Sequence, residues 1–276
     1  MVKHNVGIII QARMGSTRLE GKILFKLPYR SSVSVLEQII RRAKATKNAD
    51  KVVVASSINS ENDILENILK DKCLLFRGDE ENVLSRFYSI AKENNFETIV
   101  RLTADNPCFD PIYIEKAISE HISNNADYTY TKGLPLGMNV EVLSFSALEE
   151  AHQNASKKAE TEHVTPYITS KPQKYKLHYP QVISKKEEIE KWRLTMDNPT
   201  DYSLMCLLYE NLYKDNPLFG WKEINTFLSQ RPWAVAINQS NFQKQIFTSF
   251  EEEKTTAIQL LRQNDLLHTA NYLNKL

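Results

Sequence analysis

Four short runs rich in β-branched and apolar residues, at Val6–Ile10, Lys51–Ala55, Cys73–Phe76 and Thr98–Leu102, alternate with segments whose apolar residues recur at helical spacing. Strands separated by helices of this length need crossover connections, and right-handed βαβ units build a mostly parallel sheet covered by helices. The first helix is predicted to start at Ser34, which forms a capping box with Glu37, and to bury Val35, Leu36, Ile39, Ile40 and Ala43. The second spans Ser60 to Lys72 with Ile64, Leu65, Ile68 and Leu69 inward. The third spans Asn82 to Asn95 with Val83, Leu84, Phe87 and Ala91 inward. An α/β fold is therefore the expectation.

The first strand stops abruptly in Gln11-Ala12-Arg13-Met14-Gly15-Ser16-Thr17-Arg18-Leu19-Glu20-Gly21-Lys22. In open α/β sheets ligands bind just beyond the carboxyl ends of the strands, which is where this loop falls. Two glycines let the backbone come close to a ligand, and Arg13, Arg18 and Lys22 suit a polyphosphate better than a neutral molecule. A nucleoside triphosphate fits that description; the plainer alternative is a β–α turn with surface cations. Two familiar phosphate loops are excluded. Five residues rather than four separate Gly15 from Gly21-Lys22, Ile23 replaces the Ser or Thr of a P-loop, and no G-x-G-x-x-G is present.

Further along, Arg101-Leu-Thr-Ala-Asp105-Asn-Pro107 is echoed by Arg193-Leu-Thr-Met-Asp197-Asn-Pro199. Each phrase reads as a strand end halted at an Asp, with Pro preventing continuation. The flanking segments do not match, so this is not a domain duplication. Magnesium on a polyphosphate is typically held by one or two carboxylates, the rest of its shell coming from phosphate and water. Asp105 and Asp197 at two strand ends can meet at one such ion; alternatively each caps the element behind it.

Composition narrows the class. The chain has 276 residues, 42% hydrophobic, enough for one large α/β domain with an appendage. A formal charge of +1, with cations interleaved among carboxylates, argues against a nucleic-acid binder. Cys73, Cys108 and Cys206 are scattered without a C-x-x-C pair, which argues against a zinc site or disulfide framework and implies a reducing cytoplasm. No leader sequence and no run near the roughly 18 apolar residues of a membrane span is visible, so no membrane association is expected.

The loop resembles the N-terminal signature of the cytidylyltransferases that activate acidic sugars, the group of the CMP-sialic acid and CMP-Kdo synthetases, and within it the spore-coat polysaccharide biosynthesis protein F type. The resemblance implies a Rossmann-like sheet of the nucleotide-diphospho-sugar transferase (GT-A) type. It implies that Gln11, Ala12, Arg13, Gly15, Ser16, Arg18 and Lys22 wrap the triphosphate of CTP. Ser56, following a strand, and Gly78 and Arg86, in the segment Arg77–Arg86, would lie by the base. Asp105 and Asp197 would hold Mg2+ and, with Arg13 and Lys22, carry catalysis. Two positions depart from the family: Glu20 replaces its usual proline, and Asn82 stands where Asp is usual.

Acceptor recognition is placed between Asp127 and about Ile183, where the alternation loosens. Gly133–Val142 and Glu160–Tyr167 resemble family blocks, giving Asn139, Glu141 and His163 as candidates. Arg101 is a further one, either meeting a sugar carboxylate bidentately or pairing with a neighbouring acid; His163 has the plain alternative of an ordinary polar helix residue. In relatives this region, about residues 127–190, forms an arm crossing to a second subunit, so a homodimer is expected. The nucleotidyltransferase domain is read as residues 1–205 and a mainly helical extension packed on the core as 206–276, with helices over Thr200–Lys214 and from Ser249, which pairs with Glu252 and has Ile258, Leu261 and Leu266 inward. Pro232–Ile237 is read as an extra edge strand.

The function implied is transfer of CMP from CTP to a hydroxyl of an acidic or related sugar, with pyrophosphate released, for surface polysaccharide or glycan synthesis. One alternative is a metal-dependent glycosyltransferase of the same architecture; those generally carry a D-x-D triplet, which this chain lacks. The other is a non-catalytic nucleotide-sugar binding protein, against which both aspartates and all three loop cations argue.

Overall fold

The computed structural model describes residues 4–184, 189, 191–241 and 249–275. Contacts divide the chain into one compact unit ending at Ser240 and a second over Asn241–Leu276.

The first unit is built on a seven-stranded sheet in the order β3-β2-β1-β4-β6-β5-β7. Its strands are β1 (Val6–Gln11), β2 (Lys51–Ser57), β3 (Leu74–Gly78), β4 (Thr98–Thr103), β5 (Tyr128–Tyr130), β6 (Glu141–Ser144) and β7 (Leu177–His178). The helices α1 (Val35–Lys44), α2 (Ile64–Leu69) and α3 (Val83–Glu93) cross between the first four strands, while α4 (Pro111–Ser123) and α5 (Phe145–Asn154) follow β4 and β6. As the alternation requires, β1 pairs in parallel with β2 and β4, and β2 with β3. Gln11 is opposite both Ala55 and Thr103, so the carboxyl ends of three strands finish side by side.

Alternation along β1 decides which face each side chain covers. Ile8 and Ile10 enter the core formed with α1, α4 and the helix Pro199–Leu212, while Ile9 enters the core formed with α3 and α5 on the other face. All three are fully buried, and burial of each side chain stabilises by about 1.5–3 kcal/mol. The Ser34 hydroxyl accepts from Glu37 N–H at the start of α1, the predicted capping box.

The alternation ends at β6, which runs antiparallel to both β4 and β5. Residues 127–184, within the stretch of about 127–190 expected to form a projecting arm, contribute β5, β6 and β7 to one side of the sheet, where Tyr128, Val142 and Leu143 are buried. Gly137 carries this connection at φ 93°, and a Cβ there would lie 2.5 Å from the Leu194 carbonyl oxygen. Only glycine allows that approach.

Some local readings are corrected. The stretch expected as one helix from Ser60 is a 3-10 turn, Ser60–Asn62, followed by α2, and Ile64 is exposed rather than inward. Pro232–Val235 is a short helix with Pro in its first turn, not an edge strand; proline pre-sets the helical φ and has no N–H for a ladder. The helix Pro199–Leu212 runs unbroken through residue 205, with Leu204, Met205, Leu208 and Tyr209 in the main core. In the second unit, Ser249 caps the helix Phe250–Gln263 by accepting from Glu252 N–H, and Leu266 is exposed because the helix has already ended. No helix among the described residues is long and apolar enough to cross a membrane.

Candidate active site

The loop after β1 is held by its backbone. Ala12 N–H donates to Ala55 O at 3.0 Å, Met14 N–H to Asn62 Oδ1 at 2.8 Å, and Gly21 N–H to Met14 O at 3.3 Å, which closes the loop on itself. Asn62 is fully buried and donates to Ser57 Oγ at 2.9 Å, tying the loop to the end of β2. Gly21 takes φ 63°, a left-handed conformation that costs other residues strain. Lys22 opens a 3-10 turn whose next residue, Ile23, is buried in the core.

This placement brings Lys22 to the two echoed phrases. Its ammonium donates to Asp105 Oδ2 and to Asp197 Oδ1, both at 3.0 Å. Met196 N–H donates to Asp105 O at 2.8 Å, so the two aspartate-bearing segments are joined through their backbones as well. Arg18 Nη2 lies 3.3 Å from Asp197 Oδ1. Thr103 Oγ1 donates to Asp105 Oδ1 at 2.7 Å and accepts from Asn106 Nδ2 at 2.8 Å. Burial pushes the Asp105 carboxyl up, but Lys22 beside it and the hydrogen bonds from Thr103 and Lys22 prevail and hold it below the usual carboxylate range.

The paired arginines of the echo have different partners. Arg193 donates from Nη2 to Asp197 Oδ2 at 2.7 Å and from Nε to the fully buried Asp201 at 2.9 Å. Arg101 donates to Glu141 and, at 3.1 Å, to Gln11 Oε1. Register explains the Glu141 contact, since Arg101 and Glu141 are directly paired across β4 and β6. Glu141 Oε1 also accepts from Tyr128 Oη at 2.7 Å and Thr165 Oγ1 at 3.2 Å, so the charge is fully engaged. Asn139 supports the neighbouring turn by donating to Leu134 O at 2.8 Å, and His163 ends the helix Lys158–His163 two residues before Thr165.

On the other side of β1, Arg13 Nη1 bonds Glu80 Oε1 at 3.2 Å. Near it Arg86, whose Nε and Nη1 are buried without hydrogen-bond partners, feels the charges of Glu80 and Arg13; Glu80 Oε2 and Ser56 Oγ are also buried and unpartnered. Gly78, at the end of β3, lets the Arg86 stem pass, since a Cβ there would be 2.9 Å from Arg86 Cγ. Burial lowers the Arg86 pKa while Glu80 opposes the shift. Buried donors left unmade are costly, about 1–3 kcal/mol each, unless a bound group completes them. Ser16 Oγ accepts from Leu19 N–H at 3.4 Å, and Gly15 packs by Glu61, whose Oε1 would be 2.8 Å from a Cβ.

The structure therefore joins Lys22, Arg18, Asp105 and Asp197 in one cluster and Gln11, Arg101 and Glu141 in a second. It also joins Arg13 to Glu80, a residue the sequence reading did not single out. Asn62, Arg193, Asp201 and Asn238, which donates to Asp201 Oδ1 at 2.9 Å, were likewise missed. Arg193 and Thr103 lay within the echoed phrase and could have been found there, whereas Asn62 and Asn238 carry no local signal. A cavity of about 740 Å³ lined by Phe96, Thr98, His121 and Phe145 lies at the amino end of β4 and includes none of these site residues.

A cationic loop at the carboxyl ends of parallel strands faces one aspartate in the turn after β4 and a second in the irregular segment before the helix Pro199–Leu212, which is not the strand end its phrase suggested; the arrangement defines a nucleotidyltransferase. Residues 7–257 match the family model described as cytidylyltransferase, and the chain belongs to that family. It is 34% identical to the spore coat polysaccharide biosynthesis protein SpsF of Bacillus subtilis, over 86% of this chain and 100% of that protein. It is 38% identical to an uncharacterised protein of Methanocaldococcus jannaschii, over 88% of this chain and 98% of the relative. Among solved structures, a cytidylyltransferase from Leptospira borgpetersenii aligns with TM-score 0.75 and 27% identity, covering 88% of this chain and 99% of that one. The protein is thus a cytidylyltransferase enzyme of Rossmann-like fold.

Proposed function

We propose that the protein transfers CMP from CTP to a hydroxyl of an acidic or related sugar for surface polysaccharide or glycan synthesis, with Mg2+ at Asp105 and Asp197. The observation that carries this reading is Lys22 Nζ at 3.0 Å from both aspartates. Among the described residues no group of three or more His, Cys, Asp and Glu is arranged to hold a metal. Two carboxylates are what magnesium needs when the triphosphate and water supply the remaining oxygens, so the residues fit the ion. When bound, it would neutralise phosphate charge and acidify the attacking hydroxyl.

The sugar oxygen forms a bond to the α-phosphorus as the bond to the bridging oxygen breaks and pyrophosphate leaves, the hydroxyl proton passing to solvent or a nearby base. The protein's part is positioning and charge neutralisation. Lys22 and Arg18 stand beside the aspartates to take the phosphates, and Arg13 exchanges Glu80 for phosphate. Gln11, Ala12, Gly15 and Ser16 line the triphosphate, while Ser56, Gly78 and Arg86 lie towards the base, where the unpartnered Arg86 and Ser56 atoms await acceptors and donors. Arg101, Asn139, Glu141 and His163 face the sugar. With Arg101 already neutralised by Glu141, that pair offers polar atoms to sugar hydroxyls rather than a free cation to a carboxylate. A cytoplasmic homodimer completes the reading, supported by the family resemblance and by three free cysteines.

The test is incubation with Mg2+ and each of the four ribonucleoside triphosphates, alone and with a panel of acidic sugars, following pyrophosphate release and thermal stabilisation. CTP-selective stabilisation with release on one sugar is expected. Equal weak effects of all four triphosphates would overturn the reading.

A further inference from the structure

Asp197 is not held by Lys22 alone. Behind it runs a chain of buried polar contacts that ends at Asn238, a residue 37 positions beyond Asp201. Asn238 is 1% exposed, Asp201 0% and Arg193 5%, so none of these contacts competes with bulk water.

The hydrogen bonds have a direction. Asn238 Nδ2 donates to Asp201 Oδ1 and to Arg193 O, both at 2.9 Å. Asp201 Oδ1 also accepts from Arg193 Nε at 2.9 Å, while its Oδ2 accepts the backbone N–H groups of Asp197 and Asn198, each at 2.9 Å. Arg193 then reaches forward with Nη2 to Asp197 Oδ2 at 2.7 Å, and Asp197 Oδ1 accepts from Lys22. One amide therefore fixes both the backbone and the side-chain carboxylate of the arginine–aspartate pair that orients Asp197.

We propose that Asn238 is a positioning residue for the nucleotidyl transfer: acting through Asp201 and Arg193, it holds Asp197 against Lys22, although it touches neither. The inference concerns the same site as the proposed function but rests only on contacts within the chain. Two features separate it from ordinary burial. A buried amide used merely to fill space would not have its donor group shared between the backbone and the carboxylate of one ion pair. And Arg193 divides its guanidinium between a buried acid and the site acid, an arrangement that tilts towards Asp201 if the Asn238 donor to Asp201 is lost.

The reactivity of Lys22 reads the far end of the chain without substrate. The wild-type protein, Asn238→Ala, Asn238→Asp and Asn238→Ser are treated with a limiting amine-acylating reagent, and acylation of Lys22 and of the solvent-exposed Lys70 is followed by mass spectrometry. With Asp197 loosened, Lys22 is expected to react several-fold faster in Asn238→Ala. The effect should be greater in Asn238→Asp, which keeps the shape but sets an acceptor against two acceptors, and smaller in Asn238→Ser, which keeps a donor; Lys70 should not change. Unchanged Lys22 reactivity in all three variants, or an equal rise at Lys70 that marks general loosening, would overturn the proposal. If the wild type forms a CMP product, kcat should also fall about tenfold with the KM for CTP within twofold, as a misplaced site residue costs. Failure of the wild type to turn over would sink the proposed function while the labelling still decides this inference.

Discussion

Lys22 and Asp197 are 175 positions apart in the chain, and the Lys22 ammonium donates to Asp197 Oδ1 at 3.0 Å. The same nitrogen holds Asp105 at 3.0 Å, so one cation sits between the two acids that the proposed function assigns to the metal. Replacing it leaves two carboxylates facing each other and takes a positive charge from the phosphate path. Lys22→Ala should therefore lower kcat/KM by about a hundredfold or more, the usual cost of losing a transition-state electrostatic partner. Initial rates of pyrophosphate release measure this, and near wild-type turnover would contradict it.

Gly137→Ala tests how the connection between β5 and β6 supports the segment that carries Asp197. The residue has φ 93° and a Cβ would lie 2.5 Å from the carbonyl oxygen of Leu194, whose N–H donates to Leu136 O at 2.8 Å. Strain at such a position costs on the order of 1–3 kcal/mol. Denaturant unfolding should show a loss in that range, and kcat should fall as well, because Leu194 follows Arg193 directly. An unchanged midpoint would mean that the segment relaxes freely.

Acid sensitivity should trace to His121, which is 3% exposed and whose Nδ1 is 3.0 Å from Thr129 Oγ1. Burial pulls its pKa down to about 4, with Asp127 opposing and His178 and His4 reinforcing. The unfolded chain, with an ordinary imidazole near 6.5, binds the proton first, so stability is full above that pH and falls as pH drops towards 4. The loss over this window is on the order of 3 kcal/mol. His121→Gln should flatten the stability profile between those limits in thermal unfolding; a parallel profile would assign the acid sensitivity elsewhere.

Cys108 is fully buried, and burial pushes its thiol up to about 12. Because the thiolate is the reactive form, iodoacetamide at pH 8 should leave Cys108 unmodified in the native protein and alkylate it only after denaturation. Native-state labelling resolved by peptide mass checks this, and modification of Cys108 before denaturation would contradict it.

Much of this molecule is legible in its sequence. Two periods, one of strands and one of helices, dictate the β1–β4 arrangement, because each buried face must repeat at the spacing of its own element. The basic loop and the two Asp-Asn-Pro phrases likewise stand out, since turn chemistry and charge are local properties. The antiparallel strand β6 was not legible: its four residues are too short to signal direction, which pairing with β4 decides.

The sequence by itself determined the basic loop after β1, the two Asp-Asn-Pro phrases and the crossover order that sets β1–β4 side by side. Only the tertiary structure decided their partners. Arg101 and Arg193 occupy the same place in the same phrase, yet one pairs with Glu141 across a strand and the other with Asp197 and Asp201 beside a helix start. Glu80 on Arg13, Asn62 under the loop and Asn238 behind Asp197 are likewise meetings of distant segments. A hydrogen bond or ion pair depends on separation in space to within a few tenths of an ångström, and spacing along the chain says nothing about that.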